Sequence, residues 1–153
     1  MSKFTELNLA PALLQAVDAL GYTDMTPIQA GALPLLLEGR DVLAQARTGS
    51  GKTAAFALAL LATLHCERSR LQVLVLCPTR ELADQVSREI RVLARFIPNV
   101  KVLTLCGGVP LRPQLASLAH EPHIAVGTPG RIGELIEREA LRLELFDETI
   151  ESL

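Results

Sequence analysis

The sequence predicts an α/β fold, an open parallel sheet with helices on both faces. Three observations carry that prediction. Short apolar runs alternate with helical stretches along most of the 153 residues, the order expected when right-handed crossovers cover one sheet from both sides. The runs are continuously apolar rather than alternating in polarity, as strands buried on both faces are. A glycine-rich turn at residues 46–53 joins one such run to a helical stretch. In open α/β sheets, ligands bind at such junctions, beyond the carboxyl ends of the strands.

Each element follows in order. Residues 8–20 read as a helix, with Leu9, Leu13, Val17 and Leu20 at three- and four-residue spacing and Gly21 as the stop. A second helix starts at Pro27, runs to Glu38 and closes at Gly39. Strands are expected at 41–46, 72–77, 101–106 and 123–127, and helices at 52–64, 80–96, 112–119 and 131–140. The turns at 46–53, 78–80 and 128–131 each follow a strand, so one edge of the sheet is expected to gather all three.

Bulk properties narrow the function. A hydrophobic fraction of 49% and a charged fraction of 21% fit a soluble globular domain with a core of ordinary size. The net charge of −2 advertises no nucleic acid, so any such contact must come from local groups. With no tryptophan and one tyrosine, the chain has no broad aromatic platform for stacking bases. The three cysteines, Cys66, Cys77 and Cys106, show no paired metal spacing and read as small hydrophobes, and the three histidines share no face. The first residues lack signal-peptide character, and the apolar run at 33–37 is too short to span a bilayer. A cytoplasmic protein without a membrane partner is expected.

The turn itself reads Ala46-Arg47-Thr48-Gly49-Ser50-Gly51-Lys52-Thr53, the phosphate-gripping loop of a P-loop NTPase. Gly49 and Gly51 let the backbone turn tightly, so that N–H groups and a helix N-terminus face the phosphates. Lys52 reaches the outer phosphates as a point charge, and the Thr53 hydroxyl is a ligand for Mg²⁺ held through the nucleotide. These two residues are the candidate catalytic pair. Ala46 stands where the general pattern has glycine. A P-loop enzyme of another kind, such as a small nucleotide kinase, leaves the segments at 78–83 and 128–131 unexplained.

Those segments carry a resemblance. Gly21-Tyr22-Thr23-Asp24-Met25-Thr26-Pro27-Ile28-Gln29, the loop at 46–53, Pro78-Thr79-Arg80-Glu81-Leu82-Ala83, Gly107-Gly108 and Thr128-Pro129-Gly130-Arg131 resemble, in order, the Q motif, the phosphate loop and the RNA-contacting motifs of DEAD-box ATP-dependent RNA helicases. The wording of residues 75–86 and 103–108 is similar to the DbpA-type subgroup, whose members act on large-subunit ribosomal RNA. The resemblance implies a RecA-like domain, with a helical segment and Q motif at 1–30 and a partial ATP-binding domain at 31–153. It implies ATP and Mg²⁺ as cofactors and RNA as partner, bound by its backbone without regard to sequence. Phe4, Tyr22 and Gln29 would join residues 46–53 in holding the nucleotide. Gln29 would read the adenine edge with an amide that donates and accepts at once, and Phe4 would offer a stacking face. Pro78, Thr79, Arg80, Glu81, Gly107, Gly108, Thr128, Pro129, Gly130 and Arg131 would meet RNA. There the arginines, free N–H groups and helix dipoles suit phosphates, and Thr79 and Thr128 would also cap their helices.

One departure matters. The family's Asp-Glu-Ala-Asp tetrad does not occur in this sequence. Phe146-Asp147-Glu148-Thr149 imitates it, but Arg142 and Glu144 are poor residues for a central strand. The expectation is a RecA-like sheet truncated before the DEAD strand, with residues 141–151 as a connection and Leu153 at the threshold of that strand. The family's Ser-Ala-Thr segment and second RecA-like domain are also missing. The expected function is an N-terminal helicase fragment that binds ATP and RNA and alone is inactive as a hydrolase. The alternative is a module that binds adenine nucleotide or RNA without turnover.

Overall fold

A helix with alanine and leucine on every side belongs inside a fold, and α3 (Lys52–Thr63) is such a helix: Ala54, Ala55, Ala57, Leu58, Ala59, Leu60 and Leu61 are all buried. The computed structural model describes residues 2–142 and 148–151. The chain forms two compact units, one of Met1–Leu64 with Glu89–Pro98 and one of His65–Arg88 with Asn99–Leu153.

In the first unit, α3 packs against α1 (Pro11–Ala19) and α2 (Pro27–Leu37). Helix α1 buries Leu13, Ala16 and Val17. It stops at Gly21, whose φ of 75° lets the Tyr22 N–H reach back to the Val17 carbonyl at 3.1 Å. Helix α2 opens with Pro27 at its first turn and a capping box: Thr26 Oγ1 accepts from the Gln29 N–H, and Gln29 Oε1 accepts from the Thr26 N–H. The N-terminal segment is tied down by a bridge between Lys3 and Asp24 and by the Met25 N–H on the Ser2 carbonyl at 2.8 Å. In the 3₁₀ turn Phe4–Glu6 that follows, Phe4 is buried while Thr5 and Glu6 are exposed.

The second unit holds the sheet. Strands β1 (Val73–Leu76), β2 (Val102–Leu105), β3 (Ile124–Gly127) and β4 (Glu148–Glu151) lie in the order β2-β3-β1-β4, and every pair is parallel. Helices α4 (Arg80–Leu93), α5 (Leu111–Leu118) and α6 (Pro129–Glu137) connect them. One core gathers Leu71, Leu74, Leu105, Ala125, Ile132, Leu135 and Leu141. Ala83 and Val86 are buried on the part of α4 that lies in this unit. The buried side chains of Gln72 and His123 find partners here. Gln72 accepts from the His65 N–H and donates to the His65 carbonyl, both at 2.8 Å. His123 Nδ1 accepts from the Lys101 N–H at 3.1 Å, which leaves Nε2 as the donor to the Cys66 carbonyl at 3.0 Å.

The helices and three strands match the sequence pattern to within a few residues, with two corrections. Residues 41–46, expected as a strand, form none. A strand needs a neighbour for its backbone groups, and among the described residues no strand pairs with this run, whose Leu43 is 98% exposed. The sheet edge therefore gathers the turns after β1, β2 and β3, and the loop at 46–53 does not follow a strand. Conversely, residues 141–151, expected as a connection, include β4, which pairs parallel with β1 from Val73↔Glu148 to Leu76↔Glu151. The open side of β1 offers unpaired N–H and C=O groups, and an extended segment satisfies them whatever its polarity. Asp147 of the imitated acidic pair and Leu153 lie outside the described residues.

Gly127 closes β3 where the chain is tightest. A Cβ there would sit 2.5 Å from the Leu105 carbonyl oxygen and 2.7 Å from Ile132 Cδ1. Gly127→Ala is expected to destabilise the chain by about 1–3 kcal/mol, read as a lower urea midpoint. Burial pushes the Cys77 thiol up to about 11, with Cys106 adding to the effect, so Cys77 stays a thiol at neutral pH. Iodoacetamide at pH 8 is expected to alkylate the partly exposed Cys66 well before Cys77, as read by mass spectrometry of timed samples.

Candidate functional site

The glycine-rich turn is built from local conformation. Gly49 and Gly51 have φ of 80° and 87°, and Gly51 hands the chain directly into α3. The first turn of α3 thus has N–H groups without intrahelical partners, at the positive end of its dipole. Lys52 Nζ donates to the Ala46 carbonyl at 3.3 Å, across the mouth of the turn. Thr53 lies beside it on the first turn, partly buried, whereas Arg47, Thr48 and Gly49 are exposed. The Ser50 hydroxyl is buried and has no hydrogen-bond partner among the described residues. A depression of about 500 Å³ lies alongside, lined by Thr26, Pro27, Ile28, Gln45, Ala46 and Ser50. Its volume falls in the range of small-molecule sites, roughly 300–1,000 Å³.

Gln29 links the start of α2 to this turn. It is 3% exposed; beyond its capping role, its Nε2 donates to the Gly51 carbonyl at 3.1 Å. A side chain on Gly51 would collide with that amide. The amide oxygen retains a second lone pair and the nitrogen a second N–H. Tyr22 is 45% exposed. Phe4, expected to present a stacking face, is 2% exposed, its ring packed inside the unit.

The sheet unit brings the other predicted residues together. Because β1, β2 and β3 are parallel, Pro78-Thr79-Arg80-Glu81, Gly107-Gly108 and Thr128-Pro129-Gly130-Arg131 all follow strand ends at one edge. Thr79 Oγ1 accepts from the Leu82 N–H at 3.2 Å and so caps α4. Thr128 precedes α6 without a side-chain cap. Its hydroxyl instead accepts from the Gly107 N–H at 3.1 Å, joining two of the turns. Gly108 has φ of 78°, and a Cβ there would lie 3.6 Å from Arg80 Nη1. Pro78, Arg80, Glu81, Pro129 and Gly130 are exposed. The Arg80 side chain makes no hydrogen bond or ion pair among the described residues.

Arg131 is different. Its Nη1 donates to Gln114 Oε1 at 2.8 Å, its Nη2 to the Val109 carbonyl at 2.9 Å, and its Nε lies 3.3 Å from Glu134 Oε2. Gln114, 7% exposed, turns its amide nitrogen to the Cys106 carbonyl at 3.0 Å. Sequence reasoning missed Gln114 and Glu134. The available signal for Gln114 was a lone amide in the short helical stretch after Gly107-Gly108, and for Glu134 an acid three residues after Arg131. Burial raises the thiol of Cys106 as well, with Asp84 and Glu81 adding and Arg80 and Arg131 opposing. Among the described residues no group of His, Cys, Asp and Glu is placed to hold a metal, and no helix is long and apolar enough to cross a membrane.

The chain resembles known proteins in sequence and in fold. A family model described as DEAD/DEAH box helicase matches residues 26–149. The chain is 54% identical over 148 residues to the ATP-dependent RNA helicase DbpA of Escherichia coli, covering 96% of this chain and 32% of that protein. It is 44% identical to the DEAD-box ATP-dependent RNA helicase CshA of Bacillus cereus, covering 94% of this chain and 27% of the relative. The chain thus spans less than a third of the length of these relatives. Among solved structures, a DEAD box protein from Methanococcus jannaschii superposes with a TM-score of 0.92 at 39% identity, over 99% of this chain and 41% of that one. S. cerevisiae Dbp5 bound to RNA and ADP BeF3 does so with a TM-score of 0.87 at 31% identity, over 99% of this chain and 38% of that one. With its glycine-rich turn, its capping glutamine and its three turns on one sheet edge, the chain belongs to the DEAD/DEAH box helicase family.

Proposed function

We propose that this chain is the N-terminal part of an ATP-dependent RNA helicase, holding adenine nucleotide with Mg²⁺ at residues 46–53 and RNA backbone at the sheet edge. The domain organisation is then a Q-motif segment at 1–30 followed by part of a RecA-like ATP-binding domain at 31–153, in a cytoplasmic protein. In the whole enzyme, ATP hydrolysis drives RNA unwinding. The relative named DbpA, with its subgroup's ribosomal RNA, points to ribosome assembly as the setting.

One observation carries the nucleotide half: the Ser50 hydroxyl, buried without a partner, beside two left-handed glycines and an apolar-walled depression. These residues fit a nucleoside triphosphate. The glycines and the first turn of α3 bind phosphate oxygens, and Lys52, now on the Ala46 carbonyl, exchanges that weak acceptor for a charged one. Thr53 supplies a hydroxyl to Mg²⁺. Gln29 reads the base with the functions its cap leaves open, and Tyr22 flanks it. Phe4 serves the same site from the segment that the bridge between Lys3 and Asp24 ties to the Q motif. When bound, the triphosphate supplies the transferable phosphoryl group, with Mg²⁺ spreading its charge.

No Asp-Glu-Ala-Asp occurs in these residues, and β4 beside β1 carries Glu148-Thr149-Ile150-Glu151 instead. That observation favours, as second reading for the chain by itself, nucleotide and RNA binding without turnover.

A titration with fluorescent ADP, competed by ATP and by GTP, tests the nucleotide half. ATP is expected to displace the probe at least about tenfold more effectively than GTP. Lys52→Ala is expected to weaken probe binding by about tenfold or more. Equal displacement by GTP contradicts the role of Gln29, and binding indifferent to Lys52→Ala contradicts the site. Gly51→Ala, which strains the left-handed turn and collides with Gln29, is expected to lose nucleotide binding while its circular-dichroism spectrum stays helical.

A further inference from the structure

We propose that Arg131 and Gln114 are a positioning pair for the RNA edge: Gln114 holds the Arg131 guanidinium, which sets the turn at 107–110 instead of meeting a phosphate. This rests on the reading of the sheet edge as an RNA contact and goes beyond it by separating two arginines that the sequence treats alike.

The contrast between Arg80 and Arg131 drives the inference. Arg80 is exposed, and its side chain makes no hydrogen bond or ion pair among the described residues. It is available to an incoming anion. The Arg131 side chain is 10% exposed; its Nη1 and Nη2 donate to protein oxygens at 2.8 and 2.9 Å, and its Nε lies in ion-pair range of Glu134, 3.3 Å away, without a hydrogen bond among the described residues. Reaching for a phosphate would abandon Gln114 Oε1, buried with its residue, and the Val109 carbonyl. A buried acceptor left unpaired costs more than an ordinary hydrogen bond contributes.

The contacts define what the pair positions. Gln114 Nε2 holds the Cys106 carbonyl before the turn, and Arg131 Nη2 holds the Val109 carbonyl within it. Thr128 Oγ1 takes the Gly107 N–H between them. Three anchors thus fix a turn whose Gly108 is left-handed at φ 78° and would otherwise be among the most mobile conformations a chain has. Glu134, one helical turn on, keeps the guanidinium from swinging outward. The anchored turn then offers its backbone at a constant height beside Arg80, the charge that meets RNA.

The test is fluorescence anisotropy of a labelled single-stranded RNA oligonucleotide over a salt series, with fluorescent-ADP affinity as the control for folding. Gln114→Ala and Arg131→Ala are each expected to weaken RNA binding about tenfold or more. The double variant should lose no more than Arg131→Ala alone, because both act through one network. Their slopes of log affinity against log salt should equal the parent's, whereas Arg80→Ala should lower the slope by about 0.7, the value of one phosphate contact on a single strand. Arg131→Lys, which keeps the charge but loses the fork that bridges two acceptors, should bind RNA as poorly as Arg131→Ala. ADP affinity should stay within about twofold of the parent in every variant. The proposal is overturned if Arg131→Ala lowers the slope by about 0.7 and Arg131→Lys restores binding, which is the signature of a direct phosphate contact. It also falls if Gln114→Ala binds RNA as the parent does. If the parent chain binds ADP but no RNA, the sheet edge is not an RNA contact, and that reading falls together with this one.

Discussion

Parallel pairing of β3 with both β1 and β2 is the constraint from which the sheet unit follows. In register, Leu76 and Leu105 both lie opposite Gly127, so three strands end level and their turns leave along one edge. Antiparallel pairing of any one strand would send its turn to the far side. The pairing is tight at its end: the Leu105 carbonyl and Ile132 occupy the space that a side chain on Gly127 would need. The glycine therefore sets how closely β2, β3 and the start of α6 approach, and with them the turns that carry Gly107, Gly108 and Thr128.

Buried amides do the joining at the two candidate sites. Gln29 caps α2 with its oxygen and clasps the Gly51 carbonyl with its nitrogen. Gln114 accepts from Arg131 and donates to the Cys106 carbonyl. In each case one side chain with a donor and an acceptor ties a helix to a glycine-bearing turn. An apolar residue would pack there but leave a backbone carbonyl unpaired. A charged one would bring a desolvation cost that the surroundings do not offset. Rigid turns on rigid elements are what a phosphate-binding edge requires, since phosphate contacts depend on backbone N–H groups held in place.

Much of this was legible in the sequence. The apolar runs at 72–77, 101–106 and 123–127 became strands, and Gly21, Pro27 and Gly39 marked helix ends, because these are local signals with local causes. The motif order was enough to indicate the family. What could not be read has non-local causes. The run at 41–46 has strand composition, yet strand formation depends on a partner that lies elsewhere in the chain. Glu148–Glu151 lacks the expected composition and still pairs, because β1 presents an open edge. Arg80 and Arg131 look equivalent in sequence, each following a strand and opening a helix. Only the fold shows one exposed and the other enclosed by Gln114, Val109 and Glu134. Thr128 is a similar case: its position predicts a cap, and its hydroxyl is taken by Gly107.

The most direct test of the account is hydrogen exchange read by mass spectrometry, with saturating ADP and then with single-stranded RNA. The account predicts that ADP slows exchange in peptides covering 26–29 and 46–55, and that RNA slows it in peptides covering 78–82, 107–110 and 128–132. Protection by RNA confined to other segments, or protection by ADP that leaves 46–55 unchanged, would contradict the assignment of the two sites.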